Sequence, residues 1–326
     1  MQAKKPIINA HLLELVAGTT QDSRFSTLEL SSFSSILDGT PQSISFFNGG
    51  FAYAKNLEKS QVGLCFVNEK NKDKIPPQTV AIIVKDPYLA MAKTILEYIG
   101  TGENFPTQYQ NISQPNISPT AVIARTAKIG ENVTILPFVY IGENVEIGDN
   151  CTIHSHVSLE HCTIGDGTTI RSGAKIGTCG FGFVPNHVNG QHFPIAQIAR
   201  VILGKGVDIG ANSTIDRGFL SNTKVGDFTK IDNMVHIGHG TIVGCSCFIA
   251  GGAMLAGSVE IGNFCMIGGL SAIAGGVLLP DRTSVMGHSG VASSIEESGK
   301  TIWGLPAVDA ILWKKMHILA VKNATK

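Results

Sequence analysis

The chain has 326 residues, and its 25 lysines and arginines balance its 25 aspartates and glutamates. Such a neutral chain carries no basic footprint, which excludes nucleic acid as its main partner. Charged residues make up only 15% of it while 37 residues are glycine, a balance that favours tight turns and buried surface over long solvated helices.

In chain order, "MQAKKPIINAHLLELVAG" reads as an amphipathic helix; His11 and Glu14 break its apolar stretch, so it is not expected to be a secretion signal. No run of about 18 apolar residues occurs anywhere, so no membrane-spanning helix is expected and the protein is placed in the cytoplasm. "TVAIIVKD" (79–86) predicts a buried strand. Asp86 and Pro87 are good first residues for a helix through "YLAMAKTILEYIG", with Gly100 to close it. Together these make a small α/β domain over 1–110, which runs out into "NFPTQYQNISQPNISP". Seven cysteines are spread along the chain with no CxxC pair, and they read as buried reduced thiols.

From Ile117 an aliphatic residue recurs every sixth position through Ile123, Ile129, Ile135, Ile141, Ile147 and Ile153 to Leu159. After a one-residue slip come Ile164, Ile170 and Ile176, then Leu203, Ile209 and Ile215, then an unbroken run from Val225 to Leu279. A period of six matches neither the 3.6 of a helix nor an ordinary strand. It predicts hexapeptide repeats, three short strands to each coil of a parallel β-helix, over 111–297. Residues 178–200 and 218–222 interrupt the period as expected projecting loops, where binding groups collect. The final stretch, 298–326, is expected to be a short helical extension, with Lys314, Lys315 and Lys322 on its helix.

Within the longest run, "KIDNMVHIGHGTIVG" carries His236 and His239. Residues 18 apart stack on successive coils, about 4.8 Å from one another. His239 therefore falls in one turn column with Gly257 and Gly275. An imidazole beside a backbone N–H suits acyl transfer: the ring removes a proton from the nucleophile and the amide steadies the oxyanion. Asp232 and Asn233 are expected near the ring, where a carboxylate would orient it. His236 adjoins inward Ile237, so alternation turns it outward, peripheral to the chemistry. A zinc site would need ligands at matching coil positions; His154, His156 and His161 do not supply them, and no metal is expected.

Four stretches, "IGTCGFGF", "PIAQIARVILGKGVDIGANSTIDRG", "KIDNMVHIGHG" and "MLAGSVEIG", resemble the UDP-3-O-(3-hydroxyacyl)glucosamine N-acyltransferases of lipid A biosynthesis, a resemblance that extends over nearly the whole chain. It implies a mainly β fold, a left-handed parallel β-helix with an N-terminal α/β uridine-binding domain and a C-terminal helix. It further implies a cytoplasmic homotrimer of a Gram-negative bacterium, with acyl carrier protein and UDP-3-O-acylglucosamine as partners. No cofactor is expected beyond the 4'-phosphopantetheine that arrives on the carrier protein. His239 then matches the general base, Gly257 the oxyanion donor, and Asp232 and Asn233 the groups near that base. In "FFNGGFAY", Phe47 and Tyr53 match the ring positions that hold uracil, and Asn48 substitutes for the motif's asparagine, which falls on Gly50. Phe181, Phe183, Gln197 and His236 fall among substrate-binding positions. Gly276 stands where the family carries a second histidine, and Gly290 where a side chain measures the acyl groove, so that a glycine leaves room for a longer chain. Lys314, Lys315 and Lys322 are assigned to carrier-protein docking. Another nucleotide-sugar acyltransferase, an inactive binding paralogue and a metal-dependent hydratase are the competing readings.

Overall fold

The structure is a computed structural model that describes residues 3, 5–49, 57–99, 116–185, 187–188 and 190–324. By its contacts the chain divides into two units, Met1–Phe105 and Pro106–Lys326.

In the first unit, β1 (Ser32–Phe33), β2 (Ser43–Phe47), β3 (Leu64–Val67) and β4 (Val80–Ile83) form a parallel sheet in sequence order. A parallel sheet buries both faces. On one, Ile44, Leu64, Phe66 and Ile82 pack with Leu12 of α1 (Asn9–Val16) and Met91 of α2 (Pro87–Tyr98). On the other, Phe47, Cys65 and Val67 pack with Ile36 and Val62. Asp86 caps α2 as its residue type predicts: its carboxylate accepts from the N–H groups of Tyr88 and Leu89, both at 3.0 Å. Such a cap is worth about 1 kcal/mol. Gly100 lies outside the described residues.

The second unit is the coil that the period of six predicts. Strands of mostly two residues stack into three sheets of ten, nine and eight strands, parallel throughout except for one terminal hairpin. The marker residues point inward and form one continuous core, with Ile135, Ile153, Ile170, Ile215, Ile237 and Leu255 fully buried. Register is kept between the coils around the histidines: His236 pairs with Thr214 on one side and Met254 on the other, and Met254 pairs with Ala272. A one-residue slip would turn this core out to solvent, so the pattern fixes the stacking.

The C-terminal stretch departs from expectation. Thr301–Gly304 and Ala307–Asp309 form an antiparallel hairpin, and only Ala310–Ala324 is helical, as α3. The reason is local: Pro306, in the two-residue turn between these strands, lacks the backbone N–H that a helix through this stretch would need. The cysteines also depart in part: five are buried, Cys245 is half-buried and Cys179 is exposed.

Candidate active site

Each coil turns three corners. His239 occupies the second position of the corner 238–241, between strands His236–Ile237 and Ile242–Val243. On the next two coils the same corner is 256–259 and then 274–277. On the preceding coils it holds every break in the repeat: the short turn at 160–161, then the excursions 178–200 and 218–222. The irregular segments and the histidine therefore share one edge of the prism.

The His239 ring lies against two glycines. A Cβ on Gly257 would come within 2.6 Å of both ring atoms Cε1 and Nε2, and one on Gly180 within 2.7 Å of His239 Cβ. Only residues without a side chain leave the ring this position.

The Gly257 N–H is free for a physical reason. At several other corners an Asp or Asn side chain on the next coil caps the second turn N–H. Asp149 Oδ1 accepts from Glu131 at 2.7 Å, Asn263 Oδ1 from Cys245 at 2.9 Å, Asp281 Oδ1 from Asn263 at 2.7 Å and Asn233 Oδ1 from Ala211 at 2.7 Å. Above Gly257 that position is Gly275, which has no side chain to offer. Among the described residues the Gly257 N–H has no hydrogen-bond partner, so it remains available to an oxyanion beside the imidazole.

His236 does more than face outward. Its Nδ1 is 2.7 Å from Thr214 Oγ1, and its Nε2 is 3.8 Å from Asp216 Oδ2. Asp216 is 8% exposed and accepts from Thr178 Oγ1 at 2.7 Å. Its neighbour Arg217 donates from Nε to the Gln197 carbonyl at 2.8 Å and from Nη1 to the Gly177 carbonyl at 2.7 Å. These bonds tie together the two ends of the 178–200 excursion. Sequence reasoning quoted Asp216 and Arg217 within "STIDRG" but gave them no role. A partial signal was present: Asp216 follows Ile215, where glycine follows many of the other aliphatic markers, such as Ile209 and Ile237.

Within the excursion, Phe183–Val184 pairs with Phe193–Pro194, and the Phe181 and Phe183 rings meet edge-on at 5.3 Å. Gln197 is 5% exposed, and its buried Oε1 has no partner among the described residues. Below the same corner, burial and then the Arg217 charge hold the His161 ring below its ordinary pKa.

Several expectations need correction. Asp232 and Asn233 do not sit beside His239 within the chain, because a six-residue step moves one corner along the coil. Asp232 is engaged instead with the N–H groups of Asn233 at 2.7 Å and Gly251 at 3.0 Å. Phe47 is 2% exposed inside the first unit's core, so its ring presents no stacking face; parallel neighbours bury both sides of its strand. Asn48 is exposed and Tyr53 lies outside the described residues. The space expected over Gly290 is filled, since a Cβ there would come within 2.1 Å of Leu305 Cδ1. Gly276, at φ +72, does leave open space around its missing side chain. His288 belongs to a different corner of its coil and does not fill that space. Lys314, Lys315 and Lys322 are exposed on α3. Among the described residues no three His, Cys, Asp or Glu side chains converge as a metal site, and no helix is long and apolar enough to cross a membrane.

With this geometry in place, the likenesses to known proteins fall on the same features. The family model for UDP-3-O-(3-hydroxymyristoyl) glucosamine N-acyltransferase, LpxD, matches residues 27–96, and that for the bacterial transferase hexapeptide matches 126–161. The UDP-3-O-acylglucosamine N-acyltransferase of Coxiella burnetii (strain Dugway 5J108-111) is 35% identical over 81% of this chain and 79% of its own. That of Rhodopseudomonas palustris (strain TIE-1) is 32% identical over 77% and 72%. Among solved structures, UDP-N-acetylglucosamine acyltransferase from Campylobacter jejuni aligns at a TM-score of 0.53 and 27% identity, over 59% of this chain and 73% of that one. The coil is thus a left-handed parallel β-helix of the acyltransferase kind. By its identity to those two enzymes over most of its length, the chain belongs to the UDP-3-O-acylglucosamine N-acyltransferase family.

Proposed function

We propose that this acyltransferase moves a 3-hydroxyacyl chain from acyl carrier protein to the 2-amino group of UDP-3-O-acylglucosamine. The observation that carries the reading is the His239 ring held against Gly257, whose N–H has no other partner. The sugar amine attacks the thioester carbonyl while the His239 imidazole takes its proton. The carbonyl oxygen becomes an oxyanion and accepts the Gly257 N–H. Collapse of the tetrahedral centre breaks the C–S bond, and the departing pantetheine thiolate recovers the proton from the imidazolium. The steps balance without a covalent enzyme intermediate, so both substrates are bound together. General-base catalysis supplies about 10²–10⁴-fold, and one oxyanion donor about 10²–10³-fold.

A cytoplasmic homotrimer, and docking of the acidic carrier protein on Lys314, Lys315 and Lys322, complete the proposal; the exposure of these lysines supports the docking. The test is mass spectrometry of UDP-3-O-acylglucosamine incubated with 3-hydroxyacyl carrier protein and the purified enzyme. The expected product has gained one 3-hydroxyacyl group, with stoichiometric release of carrier thiol. Tight binding of the sugar nucleotide without product from any donor would instead support the inactive paralogue, which the open space at Gly276 favours.

A further inference from the structure

We infer that Leu305, on the turn of the C-terminal hairpin, closes the far end of the acyl groove and sets the chain length that fits, in place of any side chain at position 290. The inference rests on the acyl-transfer reading above and goes beyond it to donor specificity.

Along the face that carries His236, the outward positions shrink from one coil to the next: His236, Met254, Ala272, Gly290. The corner beside them is equally small, with Ala274 and Ala292 on the last two coils. On the coil of Ala272 the other two faces turn outward the larger Met266 and Leu278. The small residues leave an apolar groove of about 420 Å³, walled by Ala272, Ala274, Gly290 and Ala292 and closed by Leu305 and Pro306.

This groove lies along the same edge of the coil as the proposed reaction centre. Gly257 and Gly275 lie in one corner column, and two coil steps from the level of Gly257 reach the level of Ala292, about 10 Å away. Along this corner column Ser258, Ala274, Gly275, Gly276 and Ala292 follow Gly257, and none of them is charged. An alkyl chain that leaves the thioester carbonyl along this edge meets Leu305 where a Cβ at position 290 would lie, since that atom would be 2.1 Å from Leu305 Cδ1.

The stop is held firmly although its tip is open. Leu305 is 83% exposed, so its own chain gives it little cover. The hairpin beneath it is anchored by buried Ile302 and by Trp303, which stacks on Trp313 of α3 with centroids 4.3 Å apart. Gly304, at φ +109, lets the turn pass close to Trp313, where a Cβ would come within 2.4 Å of Cδ1. An exposed leucine on an anchored turn gains cover when an acyl chain fills the groove.

The experiment uses 3-hydroxyacyl carrier proteins that differ by two carbons, in pairwise competition, with wild type, Leu305→Ala and Gly290→Ala. Each further methylene that finds room is worth about fourfold. Leu305→Ala should therefore raise kcat/KM for the next longer donor about fifteenfold relative to the wild-type favourite. Leu305 is exposed, so Leu305→Ala should melt as wild type does, and a melting curve accompanies each variant. Gly290→Ala should shift preference toward the shorter donor, because its Cβ pushes the Leu305 tip into the groove. An unchanged length ratio in Leu305→Ala overturns the inference. Calorimetric binding of the same acyl series as acyl-pantetheines reads the groove without turnover. A length cut-off that relaxes in Leu305→Ala, in a protein that transfers nothing, keeps the role of Leu305 and refutes the transfer reading. A cut-off that does not move refutes the role of Leu305 alone.

Discussion

Gly257→Ala perturbs the corner without removing any functional group. The new Cβ would lie 2.6 Å from His239 Cε1 and Nε2 and 3.1 Å from Cδ2. Carbon atoms in comfortable contact are about 3.5–4.0 Å apart, so the ring must retreat by about 1 Å. A displacement of that size at a reacting group costs about 10²-fold in rate, or about 2.7 kcal/mol of barrier. The oxyanion donor itself survives, because alanine keeps the N–H. Gly257 is not in the left-handed region, so alanine brings no backbone strain there and reduces the freedom of the unfolded chain. The expected signature is a fall of about 10²-fold in kcat/KM for acyl transfer with a melting temperature equal to or above that of wild type. A variant that melts normally and keeps more than a third of wild-type kcat/KM would refute the packing of the ring on Gly257 as a requirement for catalysis.

Three further outcomes follow from the same corner. Gly275→Asn introduces the capping side chain found at several other corners and should occupy the Gly257 N–H; kcat falls about 10²–10³-fold while stability rises by up to about 1 kcal/mol, and an unaffected kcat would show that this N–H is not the oxyanion donor. Arg217→Ala frees the Gln197 and Gly177 carbonyls; limited proteolysis within 178–200 should accelerate and stability fall by about 1–3 kcal/mol, and unchanged cleavage would contradict the pinning role. Alkylation of the native protein at pH 8 should label exposed Cys179 and spare Cys162, whose thiol burial pushes up to about 12; since the thiolate is the reactive form, equal labelling of the two, read by peptide mass spectrometry, would contradict the buried site.

The coil was legible because its signal is a period, and a period survives substitution at single positions. Ile237 and Leu255 are inward in the structure because they are sixfold markers in the sequence. The column of His239, Gly257 and Gly275 followed from the same arithmetic. What the arithmetic missed lies where spacing stops being regular. Asp216 and Arg217 act across the 178–200 excursion, whose length breaks the 18-residue step that would have paired them with Thr178 and Gly177. Asp232 lies one corner away from His239 within the chain, because a separation of seven residues carries the chain round to the next corner. Phe47 sits in an aromatic-rich run, but burial on both faces of a parallel sheet is a tertiary fact that the run does not encode. Leu305 meets Gly290 through a turn whose direction depends on the Trp303–Trp313 stack rather than on sequence spacing.

The most direct test of the central claim is kcat of His239→Ala at saturating carrier-protein donor and sugar-nucleotide acceptor, with acceptor affinity and melting temperature measured on the same preparation. The account predicts a loss of about 10²–10⁴-fold in kcat with the other two quantities unchanged. A kcat within threefold of wild type, in a variant that binds and melts normally, would show that the imidazole against Gly257 is not the base.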